Sequence, residues 1–91
     1  MAWYRCTVKE VGPANSGSTS DPNVLLSLTD NGGTFENQWF YAAEGTQAAM
    51  LSVGIAALTY GSLVEVGCDP PNPGGSPYTQ VTNLYLLAAG V

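Results

Sequence analysis

The side chains able to do chemistry are few and scattered. The chain has no histidine, and its seven acids, Glu10, Asp21, Asp30, Glu36, Glu44, Glu65 and Asp69, fall singly along it. A carboxylate-pair hydrolase needs two acids held together, and a serine nucleophile needs a base beside it. Neither is offered, so no enzymatic activity is expected. A metal site wants clustered Asp, Glu, His or Cys. Asp30-Asn31 with Glu36 comes nearest, and turn chemistry accounts for it better. No metal and no cofactor are therefore expected. Gly32-Gly33 and Gly74-Gly75 lack the Lys, Ser/Thr and helix of a phosphate loop and read as turns. The aromatics are the better lead. Trp39, Tyr41 and Tyr78, with Asn72, would make a ligand surface of rings beside polar side chains. Such a surface suits a sugar, which offers an apolar face and a hydroxyl edge. The competing assignment divides Trp39 and Phe40 between core and subunit contact. Trp3 and Tyr4 are assigned to core or interface.

One stretch organises the elements that must position these groups. Residues 44–61, EGTQAAMLSVGIAALTYG, predict a helix. Ala48 to Leu51 and Ala56 to Leu58 are strong helix formers. Leu51, Ile55 and Leu58 recur at helical spacing. Glu44 is expected in the first turn, at the positive end of the dipole, and Gly61 as the C-terminal cap. The opposite side is small or apolar, and no charge occurs from Gly45 to Val64. A helix apolar nearly all round is covered on more than one side. So short a chain cannot wrap it, so a second copy is expected to cover Ala49, Met50, Val53, Gly54 and Ala57. A membrane span is the rival reading of this run. Its Gly, Ser, Thr and Gln residues dilute it, and no Lys or Arg flanks it, so no span is expected.

Strands are predicted around the helix from alternation. Strand one covers residues 2–11, with Tyr4, Cys6 and Val8 on one face. Strand two covers 23–30, with Val24, Leu26 and Leu28 inward. Asp30-Asn31-Gly32-Gly33 is a hairpin turn leading to strand three, about 34–41. Strand four covers 62–68 and strand five 78–87, with a bulge near Asn83 that brings Val81, Leu84 and Leu86 to the core. Residues 12–22 and 69–77 are polar and proline-rich loops. The order β-β-β-α-β-β over 1–91 predicts a mainly β single domain, a five-stranded Greek-key barrel of the oligonucleotide/oligosaccharide-binding (OB) type. In that barrel the ligand face is formed by strands two and three with the loops between strands one and two and between four and five. This is the surface that would carry Trp39, Tyr41, Asn72 and Tyr78.

Charge and cysteine content bound the partners. The two bases, Arg5 and Lys9, against seven acids give a net charge of −5. That argues against a phosphate backbone and against anionic lipid. Only 10% of residues are charged, which leaves a surface either polar and neutral or covered by neighbours. Cys6 and Cys68 fall on strands one and four, neighbours in such a barrel. They are expected to form a disulfide, worth ~4 kcal/mol in the chain-entropy model. The alternative is two buried thiols. The first residues lack the basic segment and apolar run of a secretion signal. The chain is expected to be secreted, with any leader removed, if the bond forms, and cytoplasmic otherwise.

The element order, acidic balance, single cysteine pair and buried helix resemble the B subunits of bacterial toxins of the cholera and Shiga type. Short bacterial proteins of unknown function also share a run that here reads Val8, Val11-Gly12-Pro13, Leu28-Thr29-Asp30, Trp39-Phe40, Met50-Leu51, Ala56-Ala57-Leu58-Thr59 and Val64. The resemblance implies a ring of identical barrels, five in the toxins, with helices around the central pore and sugars bound at the surface. No sugar-site residue of those toxins carries over by position. The expected function is thus a non-catalytic binding and assembly module, a homo-oligomeric, pentameric ring whose ligand is a glycan or a partner protein. The alternative is a single-stranded nucleic-acid binder, which the charge disfavours.

Overall fold

A computed structural model describes residues 1–14, 23–71 and 78–88. The elements are β1 (Ala2–Ala14), β2 (Asn23–Asp30), β3 (Gln38–Ala42), α1 (Gln47–Tyr60), β4 (Leu63–Cys68) and β5 (Thr79–Leu86). The strands close a barrel in the order β1-β2-β3-β5-β4. β1 runs antiparallel to β2 over its second half and to β4 over its first, and β3 lies parallel to β5. This is the OB arrangement, with the single helix between β3 and β4.

Alternation fills the barrel. Cys6, Val8, Val24, Leu26, Leu28, Phe40, Val64, Val66, Cys68 and Val81 are all buried. Two bulges re-aim side chains. In β1, Val8 pairs with Leu28 and Glu10 with Ser27, so Lys9 is the extra residue. The slip turns Val11 to the same side as Val8, under the helix. In β5, Gly67 pairs with Asn83 and Cys68 with Val81, which leaves Thr82 as the extra residue. The bulge expected near Asn83 is there, and it brings both Val81 and Leu84 inward. Leu86 was expected in the core but is 45% exposed, at the last pair of the β4–β5 ladder.

The helix lies on the barrel by its small-residue side, which reverses the expected faces. Met50, Gly54 and Ala57 are buried against the chain's own strands, and Val53 is half-buried. Gly54 makes this possible: a Cβ there would stand 2.7 Å from Val11 Cγ2. Met50, Gly54 and Ala57, expected to be covered by a second subunit, are thus covered by the chain's own barrel instead, and Ala49 alone of that set is exposed. Of the Leu51-Ile55-Leu58 stripe, Leu51 is half-buried and packs against the core, while Ile55 and Leu58 face outward, 50% and 43% exposed.

The helix begins at Gln47, so Glu44 is outside its first turn, contrary to expectation. The chain turns at Gly45, whose φ of +86° suits glycine. The Thr46 hydroxyl donates to the Ala43 carbonyl at 2.7 Å instead of capping. Gly61 ends the helix at a φ of 66° and donates its N–H to the Ala57 carbonyl. Among the described residues no helix is long and apolar enough to cross a membrane.

Strand three is shorter than expected, because the turn before it is longer. Asp30 Oδ1 accepts from the Gly32 N–H at 3.1 Å and Oδ2 from the Thr34 N–H at 3.0 Å. The Asp30 N–H donates to the Phe35 carbonyl, and Asn37 takes a φ of 51°. Residues 34–37 are thus held in the turn and pairing starts at Gln38.

The expected disulfide is absent. Both cysteines are buried free thiols on neighbouring strands. The register is what separates them: Cys6 pairs with Val64, and Cys68 pairs with Ala2. A four-residue offset along a strand is about 13 Å, beyond the roughly 7 Å Cα separation a disulfide spans.

Candidate functional site

On β3, Phe40 and Ala42 point inward, and Trp39 and Tyr41 lie half-buried on the outer face. Ser27 is opposite Trp39, Leu25 opposite Tyr41, and Gln80 of β5 lies beside Tyr41. Trp39 and Leu25 wall a cleft of about 230 Å³ with Glu10, Val11, Gly12 and Pro13. Tyr78 is 43% exposed, one step before Thr79, which pairs with Phe40. The expected residues Trp39 and Tyr41 therefore share a face, with Tyr78 at its lower edge. Asn72 lies outside the described residues.

A second aromatic surface occupies the other side of the barrel, where β4 is flanked by β1 and β5. Trp3 pairs with Gly67, which pairs in turn with Asn83. Two residues along, on the same face, Arg5 faces Glu65, and Glu65 faces Tyr85. The indole of Trp3 and the phenol of Tyr85 stack with centroids 5.9 Å apart and planes 21° apart. They remain 46% and 52% exposed. Gly67 is the floor of this pair. A Cβ on it would stand 3.0 Å from Trp3 Cη2 and Cζ3 and 3.1 Å from Asn83 Cβ. Glycine inside a strand costs stability, and a close approach is a reason for having it there. The Thr82 hydroxyl donates to the Gly67 carbonyl at 2.9 Å, and the Asn83 amide donates to Tyr85 Oη at 3.1 Å. The result is two exposed, nearly parallel stacked rings beside Gly67, with an amide, a guanidinium and a carboxylate on the neighbouring positions of the same three strands.

Trp3 also walls a cleft of about 320 Å³ with Tyr4, Arg5 and Glu65. Tyr4 continues into a third cleft of about 330 Å³, closed by Phe35, Glu36, Gln38, Pro70 and Pro71. Here the Tyr4 and Phe35 rings meet edge to face, centroids 5.1 Å apart at 74°, and Phe35 rests on the buried Phe40 at 5.3 Å. The cleft is held open by the Asp30 turn described above. Burial pushes the Asp30 carboxyl up, but the Thr34 side chain and the Gly32 and Thr34 N–H groups outweigh it and hold it below its ordinary value.

Sequence reasoning assigned Trp3 to core or interface and did not single out Gly67 or Tyr85. The signal was present in the alternation. Tyr4, Cys6 and Val8 point inward, so Trp3 points outward, and Gly67 interrupts a strand interior opposite it.

The thiols are unsuited to nucleophilic chemistry. Burial pushes Cys6 up to about 12, helped by the charge of Asp30 opposite it on β2. Burial and Asp69 push Cys68 up to about 11. A thiol is inert until ionised. Among the described residues, no three His, Cys, Asp or Glu side chains gather as metal ligands.

Fold and surface together define an OB-type barrel with exposed stacking rings. In comparisons with known proteins, no family model, no curated protein and no solved structure matches this chain.

Proposed function

We propose that the chain is a non-catalytic saccharide-binding module that works as a homo-oligomer, in the manner of the toxin B subunits it resembles. The observation that carries the saccharide reading is the Trp3–Tyr85 pair lying open on Gly67. Exposed rings of this size are costly to leave in water, and their flat faces match the C–H face of a pyranose. Asn83, Arg5 and Glu65 at the rim supply donors and acceptors for the hydroxyls. Self-association is supported by the outward side of the helix, where Ile55 and Leu58 are exposed side by side. Several weak sugar sites on one assembly gain avidity without any new contact.

The test is a glycan array followed by titration of the intrinsic tryptophan fluorescence with each hit. Trp3→Ala is expected to abolish binding, and Trp39→Ala to leave it within about twofold, since one full stacking contact is worth ~1–3 kcal/mol by analogy with bases on aromatic rings. Binding lost in Trp39→Ala but kept in Trp3→Ala would move the site to the β3 face. Stacking rings also bind single-stranded nucleic acid, but with Arg5 and Lys9 as the only bases a titration with oligo-dT at low salt is expected to show no binding.

A further inference from the structure

We infer that the saccharide this barrel selects is uncharged, and that Arg5 and Glu65 make the selection: beside the Trp3 indole, the guanidinium donates to one ring hydroxyl while the carboxylate accepts from another. The inference rests on the saccharide reading above and names the ligand class and the specificity-determining pair of that same site.

Position comes first. Side chains two apart on a strand share a face. Trp3 and Arg5 on β1, Gly67 and Glu65 on β4, and Asn83 and Tyr85 on β5 therefore form two neighbouring cross-strand rows on the outer face of the barrel. Trp3, Arg5 and Glu65 wall one cleft of about 320 Å³, and the indole is 46% exposed. A pyranose against that indole meets a guanidinium and a carboxylate in the same cleft.

Availability comes second. The Thr82 hydroxyl donates to the Gly67 carbonyl, and the Asn83 amide donates to Tyr85 Oη. Arg5 and Glu65 are opposite one another across the β1–β4 ladder, yet they are not joined. Among the described residues neither side chain has an ion-pair or hydrogen-bond partner. What they can bind follows from their chemistry. A guanidinium only donates and an ionised carboxylate only accepts, whereas a hydroxyl does either. Two hydroxyls of one neutral ring satisfy both. A sugar carboxylate meets Arg5 but also faces Glu65, and a sugar ammonium meets Glu65 but also faces Arg5. Attraction and repulsion then largely cancel, while the ligand's charge still loses water. The net charge of −5 further repels an acidic sugar.

The experiment uses glucose, galactose and mannose, each as the neutral methyl glycoside, the uronic acid and the 2-amino sugar. Binding to the intact protein is followed by nuclear magnetic resonance at the Trp3 indole N–H, with the Trp39 indole as internal reference, at low and at physiological salt. The neutral sugar is expected to bind about fivefold more tightly than the uronic acid of the same configuration, with the amino sugar between them. Glu65→Gln is expected to raise the uronic acid about fivefold relative to the neutral sugar, and Arg5→Gln to raise the amino sugar by the same factor, the size of one charge contact in a wet site. Both shifts should shrink as salt rises. Trp3→Ala is expected to weaken all nine sugars alike. A wild-type preference for a charged sugar, or a charge ratio that either substitution leaves unmoved, overturns the inference and leaves the saccharide reading standing. No binding by any of the nine overturns it too, and joined to a blank glycan array it overturns the saccharide reading as well.

Discussion

Replacing Gly54 by alanine puts the seating of the helix to a quantitative test. In an isolated helix this change stabilises by about 1 kcal/mol, because alanine is the better helix former. Here the new Cβ would stand 2.7 Å from Val11 Cγ2, 3.0 Å from Val11 Cβ and 3.2 Å from Val11 Cγ1. Valine in a strand is stiff about its first side-chain torsion, so it cannot swing away. Either the helix lifts or β1 bends. Overpacking of this kind costs about 1–3 kcal/mol, and three simultaneous contacts argue for the upper part of that range. The net is a loss of about 1–2 kcal/mol, or roughly 5–15 °C in Tm for a domain of this size. Thermal denaturation followed by circular dichroism measures it. Val11→Ala removes the obstructing methyls and is expected to restore much of the loss in the Gly54→Ala background, although alone it destabilises. A double-mutant cycle should therefore show a coupling of at least about 1 kcal/mol. The reasoning fails if Gly54→Ala raises Tm, or if Val11→Ala costs the same with and without it.

Three further outcomes follow from the geometry. Asp30 is held below its ordinary value in the folded chain, so its contribution is full above the unfolded carboxyl value, about 4, and is lost as pH falls through the folded one. Asp30→Asn is expected to cost about 1–3 kcal/mol at neutral pH and to flatten the acid limb of a stability–pH curve, and an unchanged limb would refute the turn assignment. The cysteines shift the other way, raised to about 12 and about 11, so their burial contributes below the unfolded thiol value of about 8.5 and is lost as pH climbs toward the folded ones. Native protein should leave both thiols unlabelled by a thiol reagent at pH near 8, give full labelling in denaturant, and keep the same Tm with and without reductant. Ile55→Asp with Leu58→Asp should bring the native mass down to the 9.4 kDa of one chain and leave Tm at low concentration nearly unchanged, whereas a wild-type mass already at that value would overturn self-association.

Much of the barrel was legible in the sequence because alternation reports strands directly. Val24, Leu26 and Leu28 announced β2, the Asp-Asn-Gly-Gly turn announced the hairpin, and Gly61 marked the helix end. The bulge near Asn83 could be read because Val81 and Leu84 are three apart and both must reach one core. The rest depended on distances that a linear pattern does not encode. The helix carried two apolar sides, and choosing between them required knowing that the barrel rim approaches closely enough to demand glycine. The cysteines lay on neighbouring strands as expected, but only register decided that they miss one another. The Asp30 carboxylate took the N–H groups of Gly32 and Thr34, and so β3 lost its first residues to the turn. Trp3 was visible as an outward residue, but its role depended on Gly67 and Tyr85, contributed by strands more than sixty positions later in the sequence.

That separation has a consequence for how the molecule is made. β1 is thirteen residues long and lies against β2 with one end and β4 with the other. As the polypeptide leaves the ribosome, the β1–β2 hairpin can assemble at once. Its leading half, including Cys6 and Trp3, finds its second neighbour only after residue 68 has emerged. Until then a nascent edge with an open apolar face must survive, and loop closure over such a span is slow. Anything that trims the first few residues removes the seam itself, leaving an open sheet whose β4 has a free edge.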